Sequence, residues 1–94
     1  MKIIALQDID DCFDGSYLKE FVLDQATTKP FIEYLGNLGT FEYFAHFNRP
    51  FFRVFCKQAF QLKGVEGDNT VHITVWNKEY EHVLLKIQQY IEVF

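Results

Sequence analysis

Eight aromatic residues stand between Phe41 and Phe60, in the segment FEYFAHFNRPFFRVFCKQAF, and no run of charges accompanies them. Each ring buries a large apolar area when it packs and is costly to leave in water. This segment must therefore lie at the centre of whatever the chain folds into. The sequence does not show what the protein does, but it predicts where its most unusual surface lies.

The 94 residues predict a single domain over 1–94, since a chain of this length has no room for two cores. Hydrophobic residues make up 49% of the sequence and charged residues 23%, which excludes a disordered chain. A domain of this size buries only roughly 60–65% of its unfolded surface, so hiding every ring inside one copy is difficult. We therefore expect the chain to self-associate.

The net charge is −4, and the acidic excess lies within residues 1–26. Nucleic-acid binding usually needs an electropositive surface, so the charge disfavours that class of partner. The sequence has neither a signal-peptide core nor the roughly 20 consecutive apolar residues of a membrane span, so no membrane partner is expected. Cys12 and Cys56 form no CxxC or zinc-spacing pattern, which predicts a cytoplasmic protein with reduced thiols.

Apolar periodicity and turn residues divide the chain into predicted strands and helices. The N-terminal part contains a peripheral strand and an acidic loop (Asp8–Asp14) within 1–16, and then a strand at 17–24, for which a helix is the alternative. A helix follows that begins at Thr28-Lys29-Pro30 and ends at Gly36 or Gly39. Strands follow at about 40–47, 51–57, 59–65 and 70–76, and Asn77 caps a final amphipathic helix.

The order of these elements is β-α-β-β-β-β-α, with the N-terminal strand as an optional addition. It predicts an α+β domain in which an antiparallel four- to five-stranded sheet carries two helices packed on one face.

Turn lengths assign each strand residue to a face of the sheet, because directly opposed residues share a face. Loops at 48–50, 57–58 and 66–69 pair Phe47 with Phe51, Cys56 with Ala59 and Val65 with Thr70. The resulting predicted core face is apolar or aromatic except at Arg53. Its members are Phe41, Tyr43, Ala45, Phe47, Phe51, Arg53, Phe55, Phe60, Leu62, Val71, Ile73 and Val75.

The opposite face, the predicted contact face, is half apolar, although a solvated sheet surface should be polar. Its members are Glu42, Phe44, His46, Phe52, Val54, Cys56, Gln61, Lys63, Val65, His72, Thr74 and Trp76. Such mixed, aromatic composition is typical of contact surfaces. We predict an interface formed by Phe44, His46, Phe52, Val54, His72 and Trp76, covered by the N-terminal segment, a second copy or a ligand.

Arg53 does not suit the predicted core face, since a buried guanidinium needs a partner. A helix carboxylate, Glu33 or Glu81, would supply one. The functional alternative is that Arg53 and Arg49 hold an anionic ligand between sheet and helices. A bulge near Pro50 would instead move Arg53 to the other face.

The histidines and cysteines predict no metal site, and nothing in the sequence predicts a cofactor. In the predicted register His46 and His72 lie about 14 Å apart, whereas zinc ligands meet within about 2–2.3 Å of one ion. The acidic loop lacks the bidentate glutamate of an EF-hand, with Phe21 in its place. No catalytic residue is assigned, because no nucleophile or phosphate-loop motif is present. Acid–base catalysis would need a pocket that joins His46 or His72 to a carboxylate.

The leading hypothesis is a non-enzymatic protein-interaction or regulatory domain. It would form a homodimer, or bind another protein, through the predicted contact face. The alternative is a small-molecule or anion-binding domain that uses Arg53 and neighbouring aromatic residues. An enzyme with His or Asp acid–base chemistry comes third.

Overall fold

Six strands and two helices make up the part of the chain that the computed structural model describes, residues 1–8, 17–57, 59–76 and 80–94. The strands are β1 (Ile3–Asp8), β2 (Tyr17–Leu23), β3 (Thr40–Phe44), β4 (Phe51–Cys56), β5 (Phe60–Val65) and β6 (Thr70–Val75); the helices are α1 (Lys29–Gly36) and α2 (Tyr80–Val93). All six strands join one antiparallel sheet in the order β1-β2-β6-β5-β4-β3. The α+β class is confirmed, with six strands instead of four or five.

Helix α1 begins where the sequence places it. Thr28 has an extended backbone and its side chain accepts from the amide of Phe31, while Pro30 occupies the first turn, where its missing N–H costs nothing. The predicted cap of α2, Asn77, and the predicted acidic loop after Asp8 lie outside the described residues.

The core lies between one face of the sheet, called the helix face, and both helices. Helix α1 packs over β3 and β4, and α2 packs over β1 and β6. Their buried side chains form a single cluster with those of the sheet: Phe31, Ile32, Leu35, Leu84, Ile87 and Ile91 from the helices, and Phe21, Leu23, Phe52, Val54, Phe60, Leu62, Val71, Ile73 and Val75 from the strands.

Tyr34 and Tyr90 connect the two helices. Each hydroxyl donates to the backbone carbonyl oxygen of the other residue, at 2.6 and 2.7 Å, and the rings stack with centroids 4.2 Å apart. Burial, reinforced by the neighbouring Tyr90, raises the pKa of the Tyr34 hydroxyl. The pair holds α1 and α2 together over the core.

Thr27 fastens the start of α1 to the turn between β5 and β6. Its side chain is buried, donates to the carbonyl oxygen of Val65 at 3.0 Å and accepts from the amide of Gly67 at 3.1 Å. Gly67 has a φ of 95°, a left-handed conformation that suits glycine. These bonds hold one end of β5 and β6 in place.

The predicted register is right between β5 and β6 and wrong on both sides of β4. Phe44, not Phe47, lies opposite Phe51, and Cys56 lies opposite Phe60, not Ala59. The first loop therefore spans 45–50 and the second spans 57–59. Both shifts are odd numbers of residues, and an odd shift moves every side chain of a strand to the other face. Strand β4 is consequently inverted, whereas β3, β5 and β6 keep their predicted faces.

The inversion corrects two groups of predictions. Phe52 and Val54, predicted on the contact surface, lie on the helix face and are fully buried. Arg53, predicted in the core with a helix carboxylate, lies exposed on the opposite face beside Glu42. In the sequence FFRVFC both alternating sets contain phenylalanine, and Arg53 is the one residue whose charge favours the open face.

Candidate functional site on the open face

The sheet surface turned away from the helices, called the open face, carries three rows of side chains that run across the strands. The registers give them directly: Phe44, Phe51 and Val65, continuing with Thr70 and Val22; Glu42, Arg53, Lys63, His72 and Glu20; and Thr40, Phe55, Gln61, Thr74 and Leu18. A charged row thus lies between two rows that are mainly apolar or uncharged.

Contacts between a base and a carboxylate occupy both ends of the charged row, and among the described residues the base in the middle has no such contact. At one end Arg53 donates to Glu42 from Nε at 2.8 Å and from Nη2 at 2.6 Å. At the other end the Nε2 atom of His72 lies 2.7 Å from a carboxylate oxygen of Glu20. Lys63 lies opposite Arg53 on one side and His72 on the other, and no carboxylate among the described residues pairs with it. The like charges of Lys63 and Arg53, directly opposed on β5 and β4, are unfavourable neighbours, so this position favours an added anion.

A pocket of about 420 Å³ lies beside Lys63. Its lining residues are Phe47, Arg49, Phe51, Lys63, Gly64, Val65, Asp68, Thr70 and His72. Its volume falls within the roughly 300–1,000 Å³ range of small-molecule sites, and it combines apolar walls with a few polar groups as such sites do.

Stacked rings form the aromatic wall of this pocket. The lining residue Phe51 stacks on Phe44 with ring centroids 4.5 Å apart, and the ring centroid of the lining residue Phe47 lies 5.0 Å from that of Phe51. His46 packs against Phe47 at 4.4 Å. The loop 45–50 therefore folds Phe47 back towards β4, which builds a wall that a shorter turn would not provide.

Arg49 stands at the rim of the pocket, where it forms an ion pair with Asp68. The predicted anion-binding residues Arg49 and Arg53 thus each have a carboxylate partner. Among the described residues, Lys63 has no carboxylate partner. The sequence places Lys63 on the predicted contact face but does not predict it as an anion-binding residue, because its position opposite Arg53 follows only from the observed register of β4.

His72 meets the condition set for acid–base chemistry, since it lines the pocket and contacts the carboxylate of Glu20. The two residues are directly opposed on β2 and β6, so the backbone itself holds them together. A carboxylate bound to one ring nitrogen fixes the orientation of the imidazole and leaves the other nitrogen for a proton. His46 has no such partner among the described residues; its recorded contacts are with rings.

Trp76 lies outside the pocket. Its ring meets that of Phe55 edge to face at 6.1 Å, and both side chains are more than a third exposed, at 39% and 38%. The predicted contact residues therefore separate. His72 lines the pocket, Phe44 and His46 lie behind its lining rings Phe51 and Phe47, and Trp76 stands apart.

A second pocket, of about 330 Å³, lies between α2 and the sheet. It is lined by Leu38, Ala59, Phe60, Val83, Lys86, Ile87 and Tyr90. Among the described residues that line it, Lys86 is the one charged residue and none is a histidine, so they offer less polar chemistry than those of the pocket beside Lys63.

Neither helix in the described part of the chain is long and apolar enough to cross a membrane. Comparison of the chain with models of known protein families, with curated proteins and with solved structures found no match.

Proposed function

We propose that the pocket on the open face binds a small molecule with one anionic group and an aromatic or apolar body. The observation that carries this proposal is Lys63, a base without a described carboxylate partner at the wall of a pocket lined by rings. The cytoplasmic location that the cysteines predict stays a prediction.

The two halves of such a ligand match two parts of the site. The anion would accept a charge-assisted hydrogen bond from Lys63, a contact worth roughly 1.5–3 kcal/mol, with the hydroxyl of Thr70 within the same pocket. The ligand body would cover Phe47 and Phe51, whose rings are otherwise partly in water. Burial of apolar area contributes about 25 cal/mol per Å², and ring stacking adds to it.

We rank binding of a small molecule above self-association because the volume and lining of a pocket limit the size and charge of its ligand. An exposed surface places no comparable limit on its partner. The proposal keeps the alternative hypothesis of an anion-binding domain, with Lys63 beside aromatic residues in the place of Arg53.

Isothermal titration calorimetry with phenylacetate and phenyl phosphate tests the proposal, with neutral phenylacetamide as the reference compound. We expect at least one anion to bind, and the amide to bind at least about tenfold more weakly, a difference of about 1.4 kcal/mol. The preferred anion then distinguishes a carboxylate ligand from a phosphate ligand.

The matched variants are Lys63→Gln and Lys57→Gln, of which the second removes an exposed lysine outside the pocket. Lys63→Gln should weaken the preferred anion at least about tenfold, and Lys57→Gln should leave it unchanged. Equal binding by the two variants, or an amide that binds as tightly as the anions, would contradict the proposal.

A second candidate function, proton transfer in the same pocket, is favoured by the contact between His72 and Glu20. In this case the free ring nitrogen of His72 would remove a proton from a carbon next to a carbonyl group, and Lys63 would stabilise the resulting enolate oxygen. The proton would return to the same carbon from His72, so no other reactant is needed.

Exchange of this carbon-bound hydrogen for deuterium in phenylpyruvate, followed by proton NMR in D₂O, measures the step. We expect the wild type to exceed the buffer rate and His72→Gln to lose that excess while still binding phenylacetate. A wild-type rate equal to that of buffer would remove the catalytic candidate and leave the binding proposal intact.

A further inference from the structure

We infer that the ligand of the pocket beside Lys63 carries a hydroxyl group at the end of its apolar body that lies away from the anion. The ligand class is thus an aryl acid with a distal hydroxyl. This inference rests on the proposed function, in which Lys63 holds the anion. The observation that carries it is the ion pair between Arg49 and Asp68, two residues that also line the pocket.

The pocket is polar at both of its ends. His72, Thr70 and Asp68 all line it and follow one another at intervals of two residues, along β6 and the turn that precedes it. Four residues of extended chain cover about 13 Å, so Asp68 lies within roughly that distance of His72. Lys63 is directly opposite His72. One end of the pocket is therefore basic, and the other end is formed by the Arg49–Asp68 pair.

Apolar side chains lie between these two ends. Val65 is two residues from Lys63 on β5, and Phe51 is directly opposite Val65 on β4. Phe47 packs against Phe51 with ring centroids 5.0 Å apart. A ligand ring would cover these three lining side chains while both of its ends meet polar groups.

Backbone hydrogen bonds hold the two segments that carry the ion pair. The amide of Glu66, in the turn between β5 and β6, donates to the carbonyl oxygen of Pro50 at 2.8 Å. In the same turn the amide of Asp68 donates to the carbonyl oxygen of Val65 at 3.1 Å. The loop that carries Arg49 and the turn that carries Asp68 are thus joined by more than their side chains, which gives the pair a defined place at the end of the pocket.

The ion pair keeps hydrogen-bonding groups for a ligand. Among the described residues one hydrogen bond joins the two side chains, from Nη2 of Arg49 to one carboxylate oxygen of Asp68. A guanidinium has several further N–H donors, and a carboxylate has a second acceptor oxygen. The pair therefore offers a donor and an acceptor side by side.

A hydroxyl group suits this pair better than a charged group does. It accepts from Arg49 and donates to Asp68, and it brings no charge that either partner repels. A second carboxylate on the ligand would attract Arg49 but would be repelled by Asp68, and an ammonium group would do the reverse. The pair thus favours a neutral group that both donates and accepts, and a hydroxyl is the smallest group of this kind.

Isothermal titration calorimetry on wild type compares the 4-hydroxy, 4-methyl and 4-carboxy derivatives of phenylacetate, or of phenyl phosphate where that is the preferred anion. The methyl compound matches the hydroxyl compound in shape and lacks its hydrogen bonds. We expect the 4-hydroxy compound to bind at least about fivefold more tightly than either of the others, a modest preference because water reaches both side chains of the pair. A smaller preference over either compound would overturn the inference.

The double variant Arg49→Ala/Asp68→Ala removes the pair without changing the net charge. It should bind the 4-hydroxy and 4-methyl compounds about equally, and the ratio of the two affinities cancels any effect of the substitutions that both compounds share. The matched control is Arg53→Ala/Glu42→Ala, which removes an exposed ion pair of the open face outside the pocket and should keep the wild-type ratio. A preference that survives in the first variant, or that both variants lose, would overturn the inference. The comparison on wild type decides even if a variant does not fold.

The calorimetry also separates this inference from the proposed function. Binding of unsubstituted phenylacetate or phenyl phosphate without a preference for the hydroxyl derivative would overturn the inference and leave the proposed function intact. Failure of every anion to bind, the unsubstituted ones included, would overturn both.

Discussion

Phe51 and Phe52 are neighbours in β4 with the same side chain, yet they face two different environments. Phe52 is fully buried among the helices, whereas Phe51 is half-buried between Phe44 and Phe47 on the open face. The helix face holds a continuous apolar cluster, and the open face interrupts its rings with a row of charges. An aromatic residue in this chain is therefore a core residue or a contact residue according to the face it occupies.

The largest difference between the two faces should appear when the free energy of unfolding of Phe52→Ala is compared with that of Phe51→Ala. Phe52→Ala leaves a cavity in a packed core and should lower the free energy of unfolding by about 3–5 kcal/mol. Phe51→Ala should cost about 1 kcal/mol or less, because its site is already partly open. Urea denaturation measures both values. Equal losses, or a larger loss for Phe51→Ala, would contradict the observed orientation of β4.

The buried hydroxyl of Thr27 gives the next largest effect. Thr27→Val keeps the shape of the side chain but leaves the amide of Gly67 and the carbonyl of Val65 without this partner. We expect the free energy of unfolding to fall by about 1–3 kcal/mol. Thr74→Val on the open face is the matched control and should change it by no more than about 0.5 kcal/mol. Similar values for the two variants in urea denaturation would show that the Thr27 bonds are unimportant.

Arg53 distinguishes the two registers directly. The Arg53 side chain is 45% exposed, so water screens its pair with Glu42. Arg53→Gln should therefore lower the free energy of unfolding by about 1 kcal/mol or less. If Arg53 lay in the core, removing one member of a buried ion pair would cost about 3–5 kcal/mol. Thermal or urea unfolding of this single variant therefore decides between the two faces for β4.

The smallest effect concerns Tyr43, whose hydroxyl donates to the carboxylate of Glu66 at 2.7 Å. This hydrogen bond, with desolvation and nearby acids adding to it, raises the pKa of Tyr43 above its ordinary value. The neutral hydroxyl is favoured in the folded state, so the stabilisation is complete below about pH 10 and is lost as pH rises through the folded pKa.

Ultraviolet titration of wild type and Tyr43→Phe isolates the phenolate signal of Tyr43. We expect it to appear above the pH at which a free tyrosine ionises, and Glu66→Gln to shift it downwards. A midpoint that Glu66→Gln does not change would contradict the assigned hydrogen bond.

The sequence predicts much of this fold because its local signals are unambiguous. Thr28 and Pro30 start α1 at the expected place, and alternation identifies the strands from β3 to β6 to within a few residues. Strand β4 is different, since both of its alternating sets contain phenylalanine and the predicted loop lengths outweigh the one contrary signal, the charge of Arg53. An error of one residue in the loop after β4 was enough to exchange Phe51 with Phe52.

The candidate site was predictable only in part, for the same reason. The predicted pairing of Val65 with Thr70 also places Lys63 opposite His72, and the structure has the same register. Their pocket could not be foreseen, since its wall depends on how the loop 45–50 folds Phe47 against Phe51. Charge counts along the chain also do not show that, within the described residues, Arg53 and His72 each contact a carboxylate and Lys63 does not.

The most direct test of the open face as the functional surface is an NMR titration of the ¹⁵N-labelled protein with phenylacetate and phenyl phosphate. We expect the amide shifts to cluster at Phe51, Lys63, Val65 and His72 around the pocket, and to need at least about tenfold more ligand in Lys63→Gln. Shifts that cluster instead at Lys86 and Tyr90, around the pocket between α2 and the sheet, would contradict this account, as would the same shifts in Lys63→Gln.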